Sequence, residues 1–361
     1  MNVAIACGGT GGHLFPGIAV AEALISRGHD ILLLISEKQI DATAVRDRKE
    51  FKVEKIPAVG LPKLLSTQVV PFAARFLKGL NACRKIYRSF GPRAVLGMGG
   101  FTSTAPILAG RMAGLPAFIH ESNAIPGKAN LFNARLSDKV LIGFAECGRY
   151  FPRSALEVTG TPIRSSLLAP VDRKDALRVL GLDRNLKTVL VMGGSQGAHG
   201  INAAVIAALP RFHGSQVQFI HLTGKEDEHN VSRCYRSAGI RAFVSAFYHR
   251  MEEVYSVADV AIARSGAATL TELSHFSIPA ILIPYPLASE NHQLLNAEIF
   301  AKDSVAEVLE ESRVKGDALG SLIDQFLKDE VRMNSPRNRA YGLAPDTAAN
   351  RIAEIIEKSC K

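Results

Sequence analysis

The sequence predicts an α/β protein built from two doubly wound, Rossmann-like domains. Short apolar runs rich in β-branched residues alternate with helical patterns, which is typical of parallel sheets covered by helices on both faces. A strand, a glycine-rich turn and a helix follow one another from residue 3, and the same order restarts at residue 187. The chain has 361 residues, which is enough for two domains that each bury a core.

The first half of the chain predicts the elements of one such domain. A strand from Val3 leads into a glycine-rich turn and then into a helix that begins at Pro16 and is stopped by Gly28. Further apolar runs predict strands that begin at Ile31, Ala94, Pro116 and Lys139. Helical patterns separate these runs, as parallel strands require.

The second half repeats this organisation. Its apolar runs predict strands that begin at Lys187, Val217, Arg241, Asp259 and Ala280. We place a hinge in residues 160–164, so the domains are expected to span residues 1–163 and 164–345. Residues 346–361 predict a C-terminal helix that can pack back on the N-terminal domain.

The composition excludes several classes of protein. Hydrophobic residues make up 47% of the chain and charged residues 21%, the balance of a folded globular protein. The five cysteines are far apart and form no CxxC pair, which argues against a disulfide scaffold or a zinc site and indicates a reducing compartment. No apolar run reaches the length of a membrane span, and the first residues predict a strand instead of a signal peptide.

The positive charge of the chain lies in one segment. The net charge is +9, and residues 55–120 contain nine cations and no Asp or Glu before Glu121. Within it, residues 69–90 mix apolar and basic side chains at helical spacing. The pattern alone favours an ordinary helix packed on a core with a solvated basic face.

Two other interpretations of this helix stay open. It can rest on an anionic membrane, with apolar side chains entering the lipid and cations meeting headgroups. The residues expected to do so are Phe72, Arg75, Phe76 and Lys78. A nucleic-acid groove ranks last, because no RNA-binding motif accompanies the charge and the chain has no Trp.

Three glycine-rich turns indicate an anionic ligand, most often a phosphate. The segments GGTGGH, GMGG and GGSQGA each follow an apolar strand and open a helix, where bare N–H groups suit an anion. The GxGxxG fingerprint, a P-loop GK[ST] and a DxD pair are not found. Ligands of such sheets bind beyond the carboxyl ends of the strands, so we expect the site in a cleft between two facing domains.

A series of motifs then carries a specific resemblance. The matching segments, which occur in the order and spacing of one family between residues 2 and 296, are GGTGGHLFPGIAVA, GMGGFTSTAP, HESNAIPGKAN, GTPIR, GGSQGAHGIN, ARSGAATLTEL and ENHQLLNA. The chain resembles the MurG family of bacterial peptidoglycan synthesis, which transfers N-acetylglucosamine from UDP-GlcNAc to undecaprenyl-pyrophosphoryl-MurNAc-pentapeptide (lipid I). The resemblance implies the GT-B fold, inversion at the sugar, no metal and no cofactor, and a peripheral location on the cytoplasmic face of the inner membrane.

The resemblance also implies roles for residues of the N-terminal domain. His13 is the implied general base, because an imidazole with an ordinary pKa of about 6.5 can take a proton from the acceptor hydroxyl. Glu121 is the second candidate base, and a His13 that only caps its turn is the structural alternative. The implied acceptor-pyrophosphate residues are Gly8, Gly9, Gly99 and Gly100; those near the donor sugar are Thr10, Gly11, Gly12 and Asn123.

The C-terminal domain is implied to bind UDP. Arg164 and Ser195 with Gln196 meet the diphosphate, the backbone of Tyr248 reads the uracil edge, and Glu272 accepts both ribose hydroxyls. Ser265 is predicted to cap the helix that carries Glu272. The other implied donor residues are Ala267, Ala268, Thr269, Leu270, Thr271, His292 and Gln293.

The chain departs from the family pattern at three positions. Thr161 stands where the family usually has Asn, Glu290 where it has Asp, and Phe101 where it often has Tyr. These changes put fine substrate geometry in doubt more than the reaction. A UDP-GlcNAc 2-epimerase of the same fold and a non-enzymatic nucleotide-binding regulator remain alternatives, and the basic, apolar segment favours the transferase over the epimerase.

Overall fold

The computed structural model divides the chain into two compact units. It describes residues 1–37, 45, 48, 50–57, 69–169, 171–194, 197–302, 306–329 and 345–360. The first unit comprises Met1–Ser165 and Leu343–Lys361, and the second comprises Ser166–Gly342. Arg164, expected at the start of the second domain, therefore belongs to the first unit.

The first unit is built on a seven-stranded parallel sheet. Its strands are β1 (Asn2–Ala6), β2 (Asp30–Ser36), β3 (Lys52–Ile56), β4 (Ala94–Gly97), β5 (Ala117–Glu121), β6 (Lys139–Ile142) and β7 (Leu156–Val158). Their order in the sheet is β3-β2-β1-β4-β5-β6-β7, so the order reverses next to β1. The helices before residue 140 are α1 (Gly11–Ser26), α2 (Val69–Phe90), α3 (Thr104–Met112) and α4 (Lys128–Asn133).

Helix α1 begins earlier than the sequence predicts. The predicted start was Pro16, but the helix begins at Gly11 and contains Pro16. The carbonyl of Thr10 accepts hydrogen bonds from the N–H groups of His13 and Leu14, both at 3.1 Å, which closes the first turn. Glycines have poor helix propensity, so the pattern could not extend the helix through Gly11.

The second unit contains a six-stranded parallel sheet. Its strands are β8 (Lys187–Met192), β9 (Val217–Leu222), β10 (Ala242–Ser245), β11 (Val260–Ala263), β12 (Ala280–Leu282) and β13 (Ala306–Val308), in the order β10-β9-β8-β11-β12-β13. A short helix, α5 (Ser165–Leu168), crosses from the first unit into the second. The helices described within the second unit are α6 (Arg173–Val179), α7 (His199–Ala208), α8 (Glu228–Ser237), α9 (Met251–Val257), α10 (Ala267–Phe276), α11 (His292–Ala301) and α12 (Gly316–Lys328). The switch of order beside β8 matches the switch beside β1, which confirms the predicted repeat of a doubly wound fold.

Each sheet buries apolar side chains. In β1, Val3 and Ile5 lie in one core and Ala4 and Ala6 in another, because successive side chains point to opposite faces. In the second unit, β8 and β9 pack against α7 and α12. All strands predicted from apolar runs are present, and three strands at sheet edges, β3, β7 and β13, were not predicted.

A last helix, α13 (Pro345–Ser359), packs on the first unit. Its Ile352 and Ile356 are fully buried in the core that contains Leu24 of α1. Arg27 and His29 both bind Glu357 of this helix. Among the described helices, none is both long enough and apolar enough to span a membrane.

Candidate functional site

The turn after β1 seats His13 in the first turn of α1. Thr10 is extended (φ −152°, ψ 157°) and immediately precedes the helix. Its Oγ1 lies 3.2 Å from Nδ1 of His13, so a local hydrogen bond orients the imidazole. The Cδ2 and Nε2 side of the ring then lies beside a second turn.

That second turn follows β4. Gly99 has φ +103° and Gly100 has φ +68°, a region that side chains rarely adopt. A Cβ atom on Gly99 would lie 2.8 Å from Cδ2 of His13, and one on Gly100 would lie 3.3 Å from its Nδ1. The two glycine-rich turns, which the sequence places far apart, therefore meet around one imidazole.

Glu121, at the end of β5, organises the loop that follows it. Its side chain is 3% exposed. Oε1 accepts from the backbone N–H and the side-chain amide of Asn123, at 2.9 and 3.1 Å. Oε2 accepts from the N–H of Gly127 at 3.1 Å and from Nδ2 of Asn130 at 2.9 Å. Four donors fill the lone-pair directions of a carboxylate, which indicates a structural anchor.

A buried histidine lies beside this anchor. Burial lowers the pKa of His120, so the imidazole is neutral at pH 7. Its Nε2 lies 2.9 Å from the carbonyl of Gly160, which can only accept, so Nε2 carries the proton. The end of β5 is thereby tied to the segment in which the hinge was predicted.

Arg164 stacks on an aromatic ring of α1. Its guanidinium carbon lies 4.3 Å from the ring centroid of Phe15, the geometry of a cation–π contact. Its Nε is buried without a hydrogen-bond partner among the described residues. The Phe15 ring also lies against Gly11, where a Cβ atom would be 3.2 Å away. Phe15 is not predictable as a site residue from the sequence, since a Phe in a helix usually indicates core packing.

In the second unit, the residues expected at the diphosphate are only partly described. Ser195 and Gln196 lie outside the described residues. The turn continues at Gly197 (φ +78°), where a Cβ atom would lie 2.1 Å from the carbonyl oxygen of Thr223. Only glycine fits there, and α7 begins two residues later.

A buried polar network supports the start of α7. Asn202 donates from Nδ2 to the carbonyl of Thr223 at 3.0 Å and to Asp227 at 2.7 Å. Its Oδ1 accepts from Nε2 of His221, and the hydroxyl of Tyr235 donates to Nδ1 of that ring. Burial lowers the pKa of His221 to about 3, so the ring stays neutral and the network keeps one arrangement at pH 7.

Helix α10 carries the carboxylate expected to bind ribose. Glu272 is 9% exposed and accepts a hydrogen bond of 2.6 Å from the hydroxyl of Tyr255, on α9. The prediction that Ser265 caps this helix was wrong. Gly266 is the N-cap, and the Ser265 hydroxyl donates to the backbone carbonyl of Gln293 at 2.7 Å. A serine that binds a distant backbone group cannot be distinguished locally from a cap.

The other residues of α10 occupy its first turns. Ala267 and Leu270 are buried, and Ala268 and Thr269 are half-buried. The hydroxyl of Thr271 donates to the carbonyl of Ala267 at 2.9 Å. The predicted donor residues 267–272 therefore form one continuous helical segment.

Tyr248 lies between β10 and α9. Its hydroxyl donates to Glu253, and its ring packs edge-on against Phe243 with centroids 5.2 Å apart. Burial, and then the bond to Glu253, raise the pKa of Tyr248 to about 12. The side chain thus holds its backbone, the part expected to meet uracil, in a fixed position.

The loop after β12 is held by an ion pair. Arg264 binds Glu311 through two hydrogen bonds of 3.0 and 3.1 Å, and it also donates to the carbonyls of Ile283 and Pro284. The same guanidinium stacks over Tyr285 at 5.3 Å. Arg264 and Glu311 are functional candidates that the sequence analysis missed, because they are far apart in the chain.

This loop leads into α11 with unusual backbone angles. Glu290 (φ +53°) and Asn291 (φ +55°) are consecutive left-handed residues. His292 begins α11, and Oε1 of Gln293 accepts from the N–H of Tyr285 at 3.0 Å. Strained residues beside two predicted sugar-binding side chains are typical of functional sites.

Among the residues that the structure describes, no group of three or more His, Cys, Asp or Glu could hold a metal ion. The available groups are an imidazole, a guanidinium, carboxylates and glycine-rich turns that precede helices. These can accept a proton, bind hydroxyls and hold phosphates.

Comparison with known proteins identifies the family. The glycosyltransferase family 28 N-terminal domain matches residues 3–142, and the C-terminal domain of that family matches residues 188–357. A Geobacter sulfurreducens protein named UDP-N-acetylglucosamine--N-acetylmuramyl-(pentapeptide) pyrophosphoryl-undecaprenol N-acetylglucosamine transferase is 37% identical over 365 residues, covering 100% of this chain and 99% of that protein. A Halothermothrix orenii protein with the same name is 35% identical, covering 100% of both.

Solved structures agree with this result. The crystal structure of Acinetobacter baumannii MurG is similar with a TM-score of 0.75 and 26% identity, over 99% of each chain. A glycotransferase of kitacinnamycin has a TM-score of 0.72 at 15% identity, covering 100% of this chain and 99% of that one, which shows a shared fold alone. With two GT-B-type α/β units and full-length relatives above 30% identity, this chain belongs to glycosyltransferase family 28 and, within it, to the MurG family of N-acetylglucosamine transferases.

Proposed function

We propose that this protein transfers N-acetylglucosamine from UDP-GlcNAc to the 4-hydroxyl of MurNAc in lipid I, which yields lipid II and UDP. A bond forms between the acceptor oxygen and the anomeric carbon of the sugar. The bond from that carbon to the diphosphate oxygen breaks, and the configuration inverts. The observation that carries this proposal is His13, held between two glycine-rich turns in a chain whose full-length relatives are named as this transferase.

His13 is the proposed general base. Its imidazole is oriented by Thr10 and stands at two turns suited to an anionic acceptor. Glu121 is a weaker candidate, because four hydrogen bonds already engage its two oxygens. A base must have a lone pair directed at the proton that it removes. We therefore assign proton removal to His13 and the support of the neighbouring loop, with Asn123, to Glu121.

The donor is proposed to bind the second unit. Glu272 accepts the ribose hydroxyls, and the backbone near Tyr248 meets the uracil. Gln293, anchored by its bond to Tyr285, and His292 meet hydroxyls of the sugar. Oriented cations and N–H groups can stabilise the negative charge that develops on a leaving UDP without a metal, and Arg164 of the first unit stays a prediction for this role.

We further propose that α2 docks the first unit on an anionic membrane surface. The C-terminal part of the helix buries Leu80, Cys83 and Tyr87 in the core. Its N-terminal part differs: Val70 is 77% exposed and Leu77 is 56% exposed. These two exposed apolar side chains are seven residues apart, two helical turns, and so share one face of α2.

Basic residues accompany these apolar ones. Arg75 and Lys78 are exposed, and Phe72 and Phe76 stack with ring centroids 6.2 Å apart. Exposed apolar side chains among cations are suited to the boundary between headgroups and acyl chains. Such docking would bring the enzyme to its lipid-linked acceptor.

A coupled assay tests the reaction. The purified protein is given UDP-GlcNAc, and UDP release is followed before and after a lipid I analogue is added. Release that needs the analogue, with a disaccharide product found by mass spectrometry, supports the transferase. The epimerase alternative is not favoured, since the relatives are named as transferases. Formation of a 2-epimer in the absence of acceptor, detected by NMR, would instead support the epimerase. If neither reaction occurs, the result would favour a non-enzymatic nucleotide-binding regulator.

A further inference from the structure

A buried hydrogen bond joins α9 to α10. The hydroxyl of Tyr255 donates to Oε2 of Glu272 at 2.6 Å, and Tyr255 is 1% exposed. The hydroxyl also lies 3.7 Å from the sulfur of Met192. A thioether accepts hydrogen bonds weakly and a carboxylate strongly, so the single phenolic proton is directed at Glu272.

Packing keeps the phenol in place. Its ring lies against Phe276, with centroids 5.1 Å apart and planes inclined by 31°. Val254 and Val257, its neighbours in α9, are fully buried. The position of the hydroxyl is therefore set by the core of the second unit before any ligand binds, which makes it a preorganised partner.

A carboxylate that grips two neighbouring hydroxyls must hold one orientation. The three torsions of a glutamate side chain allow many orientations. Restricting them when the ligand binds costs conformational entropy, which lowers the affinity. A carboxylate has about four lone-pair directions, and the phenol takes one of them. The hydrogen bond from Tyr255 therefore fixes the orientation of Oε2, and with it that of the carboxylate.

We propose that Tyr255 is a positioning residue for Glu272 and that it sets the preference of the donor site for a ribonucleotide over a 2′-deoxyribonucleotide. The proposal rests on the ribose-binding role of Glu272 given above. Tyr255 does not touch the nucleotide; it acts by holding the carboxylate where both ribose hydroxyls can reach it.

The test is calorimetry of Tyr255→Phe with UDP and with 2′-deoxy-UDP. Phe keeps the packing and removes only the donor. We expect UDP to bind about 3- to 30-fold more weakly, part of the strength of a charge-assisted bond. Binding of 2′-deoxy-UDP should change less, so the ratio of the two dissociation constants moves toward one. In the transferase assay, KM for UDP-GlcNAc should rise while kcat stays nearly constant.

Tyr235→Phe is the matched control. It removes another buried phenol of the same unit, one whose hydroxyl binds His221 at 3.1 Å. A general loosening of the unit would lower the affinity for both nucleotides in both variants. Selectivity should change in Tyr255→Phe alone.

Glu272→Gln distinguishes the ribose-binding role of Glu272 from the positioning role of Tyr255. If it leaves both affinities unchanged, the ribose role itself is wrong. If Glu272→Gln weakens UDP binding but Tyr255→Phe behaves as Tyr235→Phe does, the donor site stands and the positioning role is overturned. The double variant Tyr255→Phe, Glu272→Gln should bind UDP no more weakly than Glu272→Gln.

Phe276→Leu provides a second test if Tyr255→Phe does not fold. This variant loosens the packing of the Tyr255 ring and keeps its hydroxyl, so it should still reduce the selectivity for UDP over 2′-deoxy-UDP. Unchanged selectivity in Phe276→Leu would contradict the proposal.

Discussion

The His13 imidazole is contacted by residues from two glycine-rich turns of the first unit. Thr10 binds its Nδ1, and the backbone of Gly99 and Gly100 lies against its other atoms. The imidazole of His120, in contrast, is fully buried and bound to a carbonyl. Two histidines of one sheet edge thus have different tasks, since only His13 stands at the turns where an anionic acceptor can bind.

His13→Ala is expected to lower kcat about 100- to 10,000-fold, the usual contribution of a general base. UDP-GlcNAc affinity should stay nearly unchanged, because the donor is proposed to bind the second unit. Steady-state kinetics with a lipid I analogue, together with calorimetry of the donor, measure both quantities. Turnover close to that of the wild type would remove His13 from this role and promote Glu121.

Gly99→Ala should also lower kcat, although it leaves the imidazole of His13 in place. A methyl group there would lie 2.8 Å from the His13 ring, so the ring must move. We expect kcat to fall at least tenfold while the protein remains folded, as shown by its circular dichroism.

Gly114→Ala is the control for Gly99→Ala. Gly114 also has a positive φ, +72°, but no atom lies within 4 Å of its added methyl group. It therefore carries the backbone strain alone, about 1 kcal/mol. Equal kcat values in the two variants would show that displacement of His13 has no effect.

Glu357 joins helix α13 to two residues of the first unit, Arg27 and His29. Glu357 accepts from Nε and Nη2 of Arg27, at 3.0 and 2.8 Å, and lies 2.7 Å from Nε2 of His29. The bond from Arg27, and then that from His29, lower the pKa of Glu357 from 4.5 to about 2. A carboxyl with a depressed pKa stabilises the folded state at pH values above its unfolded pKa.

Glu357→Gln should therefore lower the free energy of unfolding at pH 7 by about 0.5–1 kcal/mol, as for a well-oriented surface ion pair. The stabilisation from Glu357 should be present above its unfolded pKa of 4.5 and be lost as the pH falls toward about 2, so the difference from the wild type should shrink over that interval. Urea unfolding between pH 3 and 7 measures it. Glu354→Gln, on the same helix but 3.9 Å from Arg27, is the control with a smaller expected effect. A difference that grows as the pH falls from 4.5 to 3 would contradict this account.

The distribution of charge over the whole molecule places its excess of cations in the first unit. The acid-free segment before Glu121 includes α2, whose first turns expose apolar and basic side chains together. Net charge of this kind promotes association with anionic surfaces. The proposed membrane face thus lies on the unit that is also proposed to take the lipid-linked acceptor.

Arg75→Glu with Lys78→Glu should weaken co-sedimentation with anionic vesicles more than tenfold, since each cation near such a surface contributes about 1 kcal/mol. Transfer to a lipid-linked acceptor should slow, and transfer to a short-chain soluble acceptor should be spared. Added salt should weaken wild-type binding in the same direction.

Arg84→Glu with Lys85→Glu is the charge-matched control. Both residues are exposed, but they lie on the part of α2 that packs on the core. A smaller loss of vesicle binding is expected there. Equal losses would indicate a general effect of net charge, and no loss in either variant would return α2 to an ordinary amphipathic helix.

The fold class and the location of the motifs could be predicted from the sequence, because both depend on patterns among residues that are close together in the chain. Buried parallel strands are continuous apolar runs, and each glycine-rich turn follows such a run directly. The edge strands β3, β7 and β13 could not be predicted in this way. Strands β7 and β13 have three residues each, and β3 reads KVEKI, in which charged residues interrupt the apolar run.

The sequence by itself determined that two doubly wound units present glycine-rich turns, a histidine and a helix with a carboxylate. Only the tertiary structure decided which of these groups meet. Phe15 lies under Arg164, Tyr255 binds Glu272, and the oxygens of Glu121 are engaged by their own loop. Such contacts join residues from separate elements, and no periodicity along the chain encodes them. They arise because packing of the core sets the distance between elements, and that distance selects the partner of each polar group.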